Sequence, residues 1–295
     1  MLSFVVPALY ALLVWWLGTG IILYLDGLPR RTYRWSLIGA GAALIAGVCG
    51  LVLTCTGTSV AHAYCGFTCG VLVWGALEMS YFMGLVSGPR KAPCPPDCGA
   101  WRRFGLAIRT SLYHEVTVLA TGVMLITLCW DQTNQVGVWT FCVLWIMRWS
   151  AKLNVFLGVP NLHTDWLPEH LRYLQTYMGQ RPMNYLFPLS VTAATVGVVL
   201  LVGQALDTET DPFRSTGYIL TATLLALAVL EHWFLVLPLP DEALWSWAFQ
   251  PRVDDGASGP TVCSACAQDR PTVLDRHPAQ LIGRDGHRPC VACAR

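Results

Sequence analysis

Seven stretches of about 20 mainly apolar residues run along the chain, approximately 4 to 25, 36 to 55, 64 to 87, 105 to 130, 136 to 158, 186 to 206 and 217 to 238. At 1.5 Å of rise per residue each is long enough to cross a hydrocarbon core of about 30 Å. The turns between them, among them "DGLPRR", "DQTNQ" and "DTETDPFRST", carry the Gly, Pro and Asp residues that stop helices. The pattern predicts an all-α membrane bundle of seven transmembrane helices. The first stretch lacks a basic leading region and a small-residue cleavage motif, so it reads as a retained helix.

One further segment has a different pattern. Residues 160 to 182, "PNLHTDWLPEHLRYLQTYMGQRP", are too polar to span, yet Leu167, Leu171, Leu174 and Met178 recur at helical spacing and Trp166, Tyr173 and Tyr177 widen that face. Thr164 or Asp165 can cap it, Pro168 fits its first turn and Gly179 ends it. The expectation is an amphipathic helix at the membrane interface. His163, Glu169 and His170 sit on it and can extend a polar cluster from below.

Composition agrees with a membrane protein. Of 295 residues 54% are hydrophobic and 13% charged, and the net charge of +1 points to no nucleic-acid partner. The basic residues add an orientation. With the amino terminus outside, Arg30, Arg31, Arg34, Arg90, Lys91, Arg102, Arg103, Arg109, Arg172 and Arg181 all fall on the cytoplasmic side, as do the basic residues after Trp247. Only Arg214 is clearly outside, in a turn with Asp207, Glu209 and Asp211. This gives an N-out, C-in protein.

The twelve cysteines do not read as a disulfide scaffold, because most lie in helices or on the reducing side. Cys65 and Cys69, and the loop pair Cys94 and Cys98, read as packing and loop residues. "GFTCG", Gly66 to Gly70, is a small-residue motif too common in membrane helices to carry weight by itself.

Residues 1–249 form the membrane domain, and 250–295 change character. The tail is polar, rich in Gly and Pro, and too short to build its own core. Cys263 and Cys266 form one CxxC and Cys290 and Cys293 another, 23 residues apart. Each pair can turn two thiolates toward one tetrahedral ion, so the expectation is a small zinc-ribbon-like element with a closed, structural zinc. His277 and His287 are alternative ligands.

The remaining chemistry lies inside the apolar stretches. Counting back from the cytoplasmic helix ends puts Glu231 and His232 about 10 Å deep and Glu78 about 13 to 15 Å deep. His114 and Glu115 lie within about 10 Å of Arg109, and Arg148 and Lys152 share one helical face. Four helices thus place ionisable groups at one depth. Charged groups in lipid are costly, so they should turn inward and meet.

Three arrangements satisfy that requirement. In the first, Glu78, Glu115 and Glu231 are balanced by Arg148, Lys152 and Arg109 in a network that needs no cofactor. In the second, the layer lines a pocket for a chlorin. His114 and His232 would then be axial ligands, Arg148 and Lys152 would meet its carboxylate or carbonyl groups, and Trp145, Trp149 and Trp233 would pack on its faces. The third is a di-iron carboxylate site in a membrane-bound oxidoreductase. Against it, the Glu/His pairs are adjacent and point about 100° apart, unlike the usual Glu-x-x-His spacing.

Long blocks in order, "YLDGLPRRTYRWS", "EMSYFMGLVSGPRKAPCPP", "NQVGVWTFCVLWIMRWSAKLNVFLGVPNL", "LPEHLRYLQTYM", "RPMNYLFPLSVTAAT" and "LAVLEHWFLVLPLPDEALW", resemble the PuhE family of photosynthetic complex assembly proteins of phototrophic bacteria. The resemblance runs from about residue 4 to residue 249. It implies an inner-membrane assembly factor for the reaction centre and light-harvesting antenna that also influences bacteriochlorophyll supply. The implied partners are their polypeptides and pigment-synthesis enzymes; a bound chlorin would then be bacteriochlorophyll or a precursor, and the enzyme alternative a tailoring enzyme of pigment biosynthesis. It supplies no catalytic residues, and the cysteine tail departs from the family pattern.

Overall fold

The computed structural model describes residues 2–162, 167–238 and 241–248. Seven long helices account for most of them: α1 (Leu2–Asp26), α2 (Tyr33–Thr54), α3 (Val60–Phe82), α4 (Ala100–Leu128), α5 (Val136–Leu157), α6 (Leu186–Leu206) and α7 (Pro212–Phe234). There is no strand among the described residues. Six of the helices are long and apolar enough to cross a membrane. The exception is α5, whose inner half carries Arg148 and Lys152. The four tail cysteines, Cys263, Cys266, Cys290 and Cys293, lie outside the described residues, as does His163.

Helix starts follow local chemistry. The Ser59 hydroxyl accepts the His62 amide at the start of α3, and Asp211 accepts the Arg214 amide at the start of α7, with Pro212 in the first turn. Gly158, at φ +118, ends α5 in a conformation that L side chains rarely adopt.

The connections gather at two ends. Those after α1, α3 and α5, with the chain after α7, form a basic end that holds Arg30, Arg31, Arg90, Lys91, Arg172 and Arg181. There, Thr176 accepts the Cys94 amide and Asn161 donates its amide to Leu235. The turns after α2, α4 and α6 form the other end, where Asn134 donates to the Thr54 and His62 carbonyls at 3.1 and 2.9 Å. Each of these amides is satisfied across a different connection, which ties the loops together.

Burial identifies the centre of the bundle. In α3 and α7, 44% and 56% of the apolar window is buried, against 17% in α1, α2 and α6, so the last three turn mostly outward. Ala63 and Phe67 of α3, Val136 of α5, and Leu220 and Leu224 of α7 form one core. Leu51, Val73, Leu77, Val118, Leu125 and Phe141 form a second between α2, α3, α4 and α5.

Two helices touch through bare backbone. A Cβ on Gly70 would lie 2.6 Å from the Gly137 carbonyl oxygen, and one on Gly137 would lie 2.7 Å from that of Gly66. The small-residue motif at Gly66 and Gly70 is therefore the α3–α5 contact, with a weight that its commonness in sequences conceals. Its partner, Gly137, lies on another helix and is invisible to a local motif.

The interfacial segment departs from expectation. Its described part is a 3₁₀ turn over Glu169–Tyr177, not a long amphipathic helix. Its apolar residues are turned into the protein: Leu167, Leu171 and Tyr81 form a buried cluster. The backbone bonds elsewhere, with the Gly179 amide donating to Val155 and the Val159 amide to Gly179. Tyr177 accepts from Arg90 Nε at 2.7 Å and donates to the Ala92 carbonyl at 2.9 Å. The segment is thus a plug over the basic end of α3, α4 and α5.

The connection after α3 also turns inward. α3 ends at Phe82, Gly84 takes φ +76, and Ser87 and Gly88 are buried beneath α4. The Ser87 carbonyl accepts the His114 amide at 3.0 Å, and a Cβ on Gly88 would overlap the Arg109 carbonyl. Only glycine permits this approach.

Candidate functional site

The ionisable residues of the apolar stretches meet near the basic end. Glu78 on α3 is 5% exposed. Arg148 Nη2 on α5 lies 3.0 Å from its Oε2, and His114 Nε2 on α4 lies 3.4 Å from its Oε1. Beside it, Lys152 Nζ reaches Glu115 Oε1 at 2.7 Å, and the Trp149 indole donates to Glu115 Oε2 at 2.7 Å. A carboxylate held in this way has its desolvation offset by an ion pair and a hydrogen bond together.

Aromatic rings fill the space between these pairs. Tyr81 packs on His114 with ring centroids 4.7 Å apart, and Lys152 lies 5.1 Å from the Tyr81 centroid. Arg148 lies 5.5 Å from the Phe82 ring. These contacts place cations against π-faces where water is scarce.

On α7 the neighbouring residues Glu231 and His232 part company. His232, 1% exposed, uses both ring nitrogens, Nδ1 with the Ala228 carbonyl and Nε2 with the Ser150 hydroxyl, each at 2.8 Å. Glu231 is exposed on the bundle's flank, where the Trp15 indole of α1 donates to its Oε1 at 2.8 Å. No Lys, Arg or His among the described residues lies within 4.0 Å of it. Arg109, the third cation expected in the network, is exposed at the surface of α4, and Trp15 on a fifth helix takes its place.

These distances decide what the layer can hold. A chlorin needs an imidazole with a free nitrogen and an open face. His232 has neither, and His114 keeps Nδ1 free but is 1% exposed, packed on Tyr81 with Nε2 on Glu78, so it has no open face. The residues do not fit a macrocycle in this arrangement. Nor do they fit a di-iron centre. Glu78 and Glu115 are spent on Arg148 and Lys152, and among the described residues no three His, Cys, Asp or Glu side chains converge on a metal position. The geometry matches the first arrangement in part: Arg148 and Lys152 neutralise Glu78 and Glu115, while Glu231 and Arg109 stand outside the network.

A cleft of about 470 Å³ opens at the opposite end, between Ser59, Val60, Thr133, Phe213 and Arg214. Its charged residues, Asp211 and Arg214, are already paired at 3.5 Å, and it is remote from the ionic layer.

His170, in the 3₁₀ plug, carries a pH dependence. Burial, followed by the Arg30 guanidinium, lowers its pKa below the ordinary 6.5. The folded state therefore favours the neutral ring. That contribution is present above about 6.5 and is lost as the pH falls toward the lowered folded value. Thermal unfolding in detergent should show a lower midpoint at about pH 5.5 than at about pH 7.5, with a smaller difference in His170→Gln. An unchanged difference in the variant would remove His170 as the cause.

A helical membrane protein with two buried ion pairs at one level of its bundle is the class these features define. The chain belongs to the DUF3623 family, described as a protein of unknown function, whose model matches residues 1–255. It is 39% identical over 254 residues to a Rhodobacter capsulatus protein described as an uncharacterized 30.4 kDa protein in the puhA 5′ region, covering 85% of this chain and 92% of the relative. No solved structure matches.

Proposed function

We propose that the protein is a membrane-embedded assembly factor for photosynthetic complexes, acting on reaction-centre or light-harvesting polypeptides and not on a small substrate. The observation that carries this reading is the pairing of Glu78 and Glu115 with Arg148 and Lys152 within the ionic layer. Its two inward carboxylates sit 3.0 and 2.7 Å from their cations, which suits a rigid bundle that presents surfaces more than a centre poised for chemistry. The relative's place in the puhA 5′ region, a photosynthesis gene region, supports the pathway. In this reading α5 crosses the bilayer with the other six helices. The basic end faces the cytoplasm of a phototroph's inner membrane, as the loop charges favour. The tail then lies on the cytoplasmic side and holds zinc through Cys263, Cys266, Cys290 and Cys293.

The test is mild purification of the full chain from a phototrophic host. Reaction-centre or antenna polypeptides should co-purify, with about one zinc per chain and no iron. Deletion of the gene should lower the absorbance of assembled complexes while free pigment persists. Two irons per chain, lost in Glu115→Ala, would instead establish the oxidoreductase, and chlorin absorbance in the purified protein would make it a pigment carrier.

A further inference from the structure

Glu231 is the one carboxylate of the layer that turns outward, and its surroundings say what it is open to. We infer that Glu231 and Trp15 form a docking point for the transmembrane helix of a partner polypeptide, one that carries a lysine, arginine or protonated histidine at the depth of this pair. The inference rests on the assembly reading and names the chemistry of the client.

Three observations lead to it. First, the carboxylate has one donor, the Trp15 indole, and among the described residues its Oε2 accepts no hydrogen bond. The nearby cation Arg148 is already engaged by Glu78 on α3. An acid on the lipid-facing flank of a helix is costly unless a counter-charge comes alongside, so the flank is electrostatically incomplete.

Second, the approach is lateral. Trp15 lies 11 residues before the end of α1, about 16 Å from it along the helix axis. The chain after α7 folds back beneath this point as a short 3₁₀ turn, Asp241–Trp245. Trp245 packs edge-on against Trp15 at 5.4 Å and donates to the Trp16 carbonyl, while Trp16 donates to that of Leu244. This aromatic floor screens the pair from the basic end. A headgroup ammonium would have to pass it, whereas a side chain on a neighbouring helix need not.

Third, the surroundings suit a helix. Leu230 is exposed next to Glu231 on α7, and Val5, Leu9 and Leu12 are exposed at helical spacing on α1, with Leu12 one turn from Trp15. An apolar helix packs on such a stripe, and one cation at the right depth fixes its register.

The experiment uses the full chain in phosphatidylcholine nanodiscs and two synthetic Leu/Ala transmembrane peptides, identical except for Lys or Leu about two to three turns from the cytoplasmic boundary, the depth of the pair. Binding is read by fluorescence energy transfer. The Lys peptide should bind the wild type about tenfold more tightly than the Leu peptide, and the preference should vanish in Glu231→Gln. Trp15→Phe, which keeps the carboxylate, should retain a preference and guards against loss of fold. Equal binding of both peptides by the wild type, or an undiminished preference in Glu231→Gln, overturns the inference. So does loss of the preference when phosphatidylethanolamine is added, which assigns the site to a lipid amine. Self-association that Glu231→Gln abolishes, with neither peptide bound, assigns it to a second copy of the chain. Complex assembly in the deletion strain, scored separately, decides whether the assembly reading stands when the docking point fails.

Discussion

Replacing Arg148 with Met should destabilise the bundle by about 3 to 5 kcal/mol, since it strands the Glu78 carboxylate in a dry interior. The size of the effect comes from asymmetry. Removing one member of a buried pair leaves the full desolvation cost of the other, whereas removing both leaves packing alone. Glu78 is 5% exposed, and the 3.4 Å contact with His114 does not replace a guanidinium at 3.0 Å. The double variant Arg148→Met/Glu78→Gln should therefore recover most of the loss. Lys152→Met should cost less, because Glu115 keeps the Trp149 indole. Reversible unfolding in mixed micelles measures all of these. An Arg148→Met protein as stable as the wild type would show that the layer does not brace the bundle.

Gly137→Val should be about as disruptive, and by a different route. The added atoms meet the Gly66 carbonyl at 2.7 Å and the Leu51 side chain, and a helix backbone cannot step aside as a side chain can. Overpacking commonly costs about 1 to 3 kcal/mol where neighbours can shift. Here α3 and α5 must separate, and these same helices carry Glu78 and Arg148. The packing defect should thus spread to the ion pair further along. A sharp drop in the folded, monodisperse fraction on size exclusion is expected. Gly75→Val on α3 should be tolerated, because a Cβ there has only ordinary contact with Ile22 at 3.8 Å. Equal behaviour of the two variants would sink the close-contact explanation.

The helices were legible because hydrophobic length and turn residues are local properties. The stretch at 186 to 206 coincides with α6, and the other six lie within a few residues of their helices. The depth of the ionisable groups was legible too, since the cost of charge in lipid forces Glu78, Arg148, Glu115 and Lys152 to meet. Direction was harder to read. Glu231 and His232 are adjacent, so about 100° of helical rotation sends one outward and the other inward, and neighbouring helices alone set which. Trp15 is separated from Glu231 by 216 residues. Its only sequence signal is the indole pair in "LLVWWLG", the sole donors in an otherwise apolar run. The plug at Glu169–Tyr177 was misread because its leucine spacing fits an amphipathic helix. Its tyrosines and backbone instead find partners in the loops on either side.

The aromatic floor also sets a schedule. Trp15 and Trp16 leave the ribosome more than 220 residues before Leu244 and Trp245, which complete their hydrogen bonds and ring contacts. In the interval α1 can settle against α3, through Tyr10 on Thr68 and Phe67, but cannot yet make this contact. The clasp is therefore a late event, formed only as the chain after α7 emerges. A chain truncated before Leu244 would keep its helices and lose the clasp that joins α1 to the segment after α7.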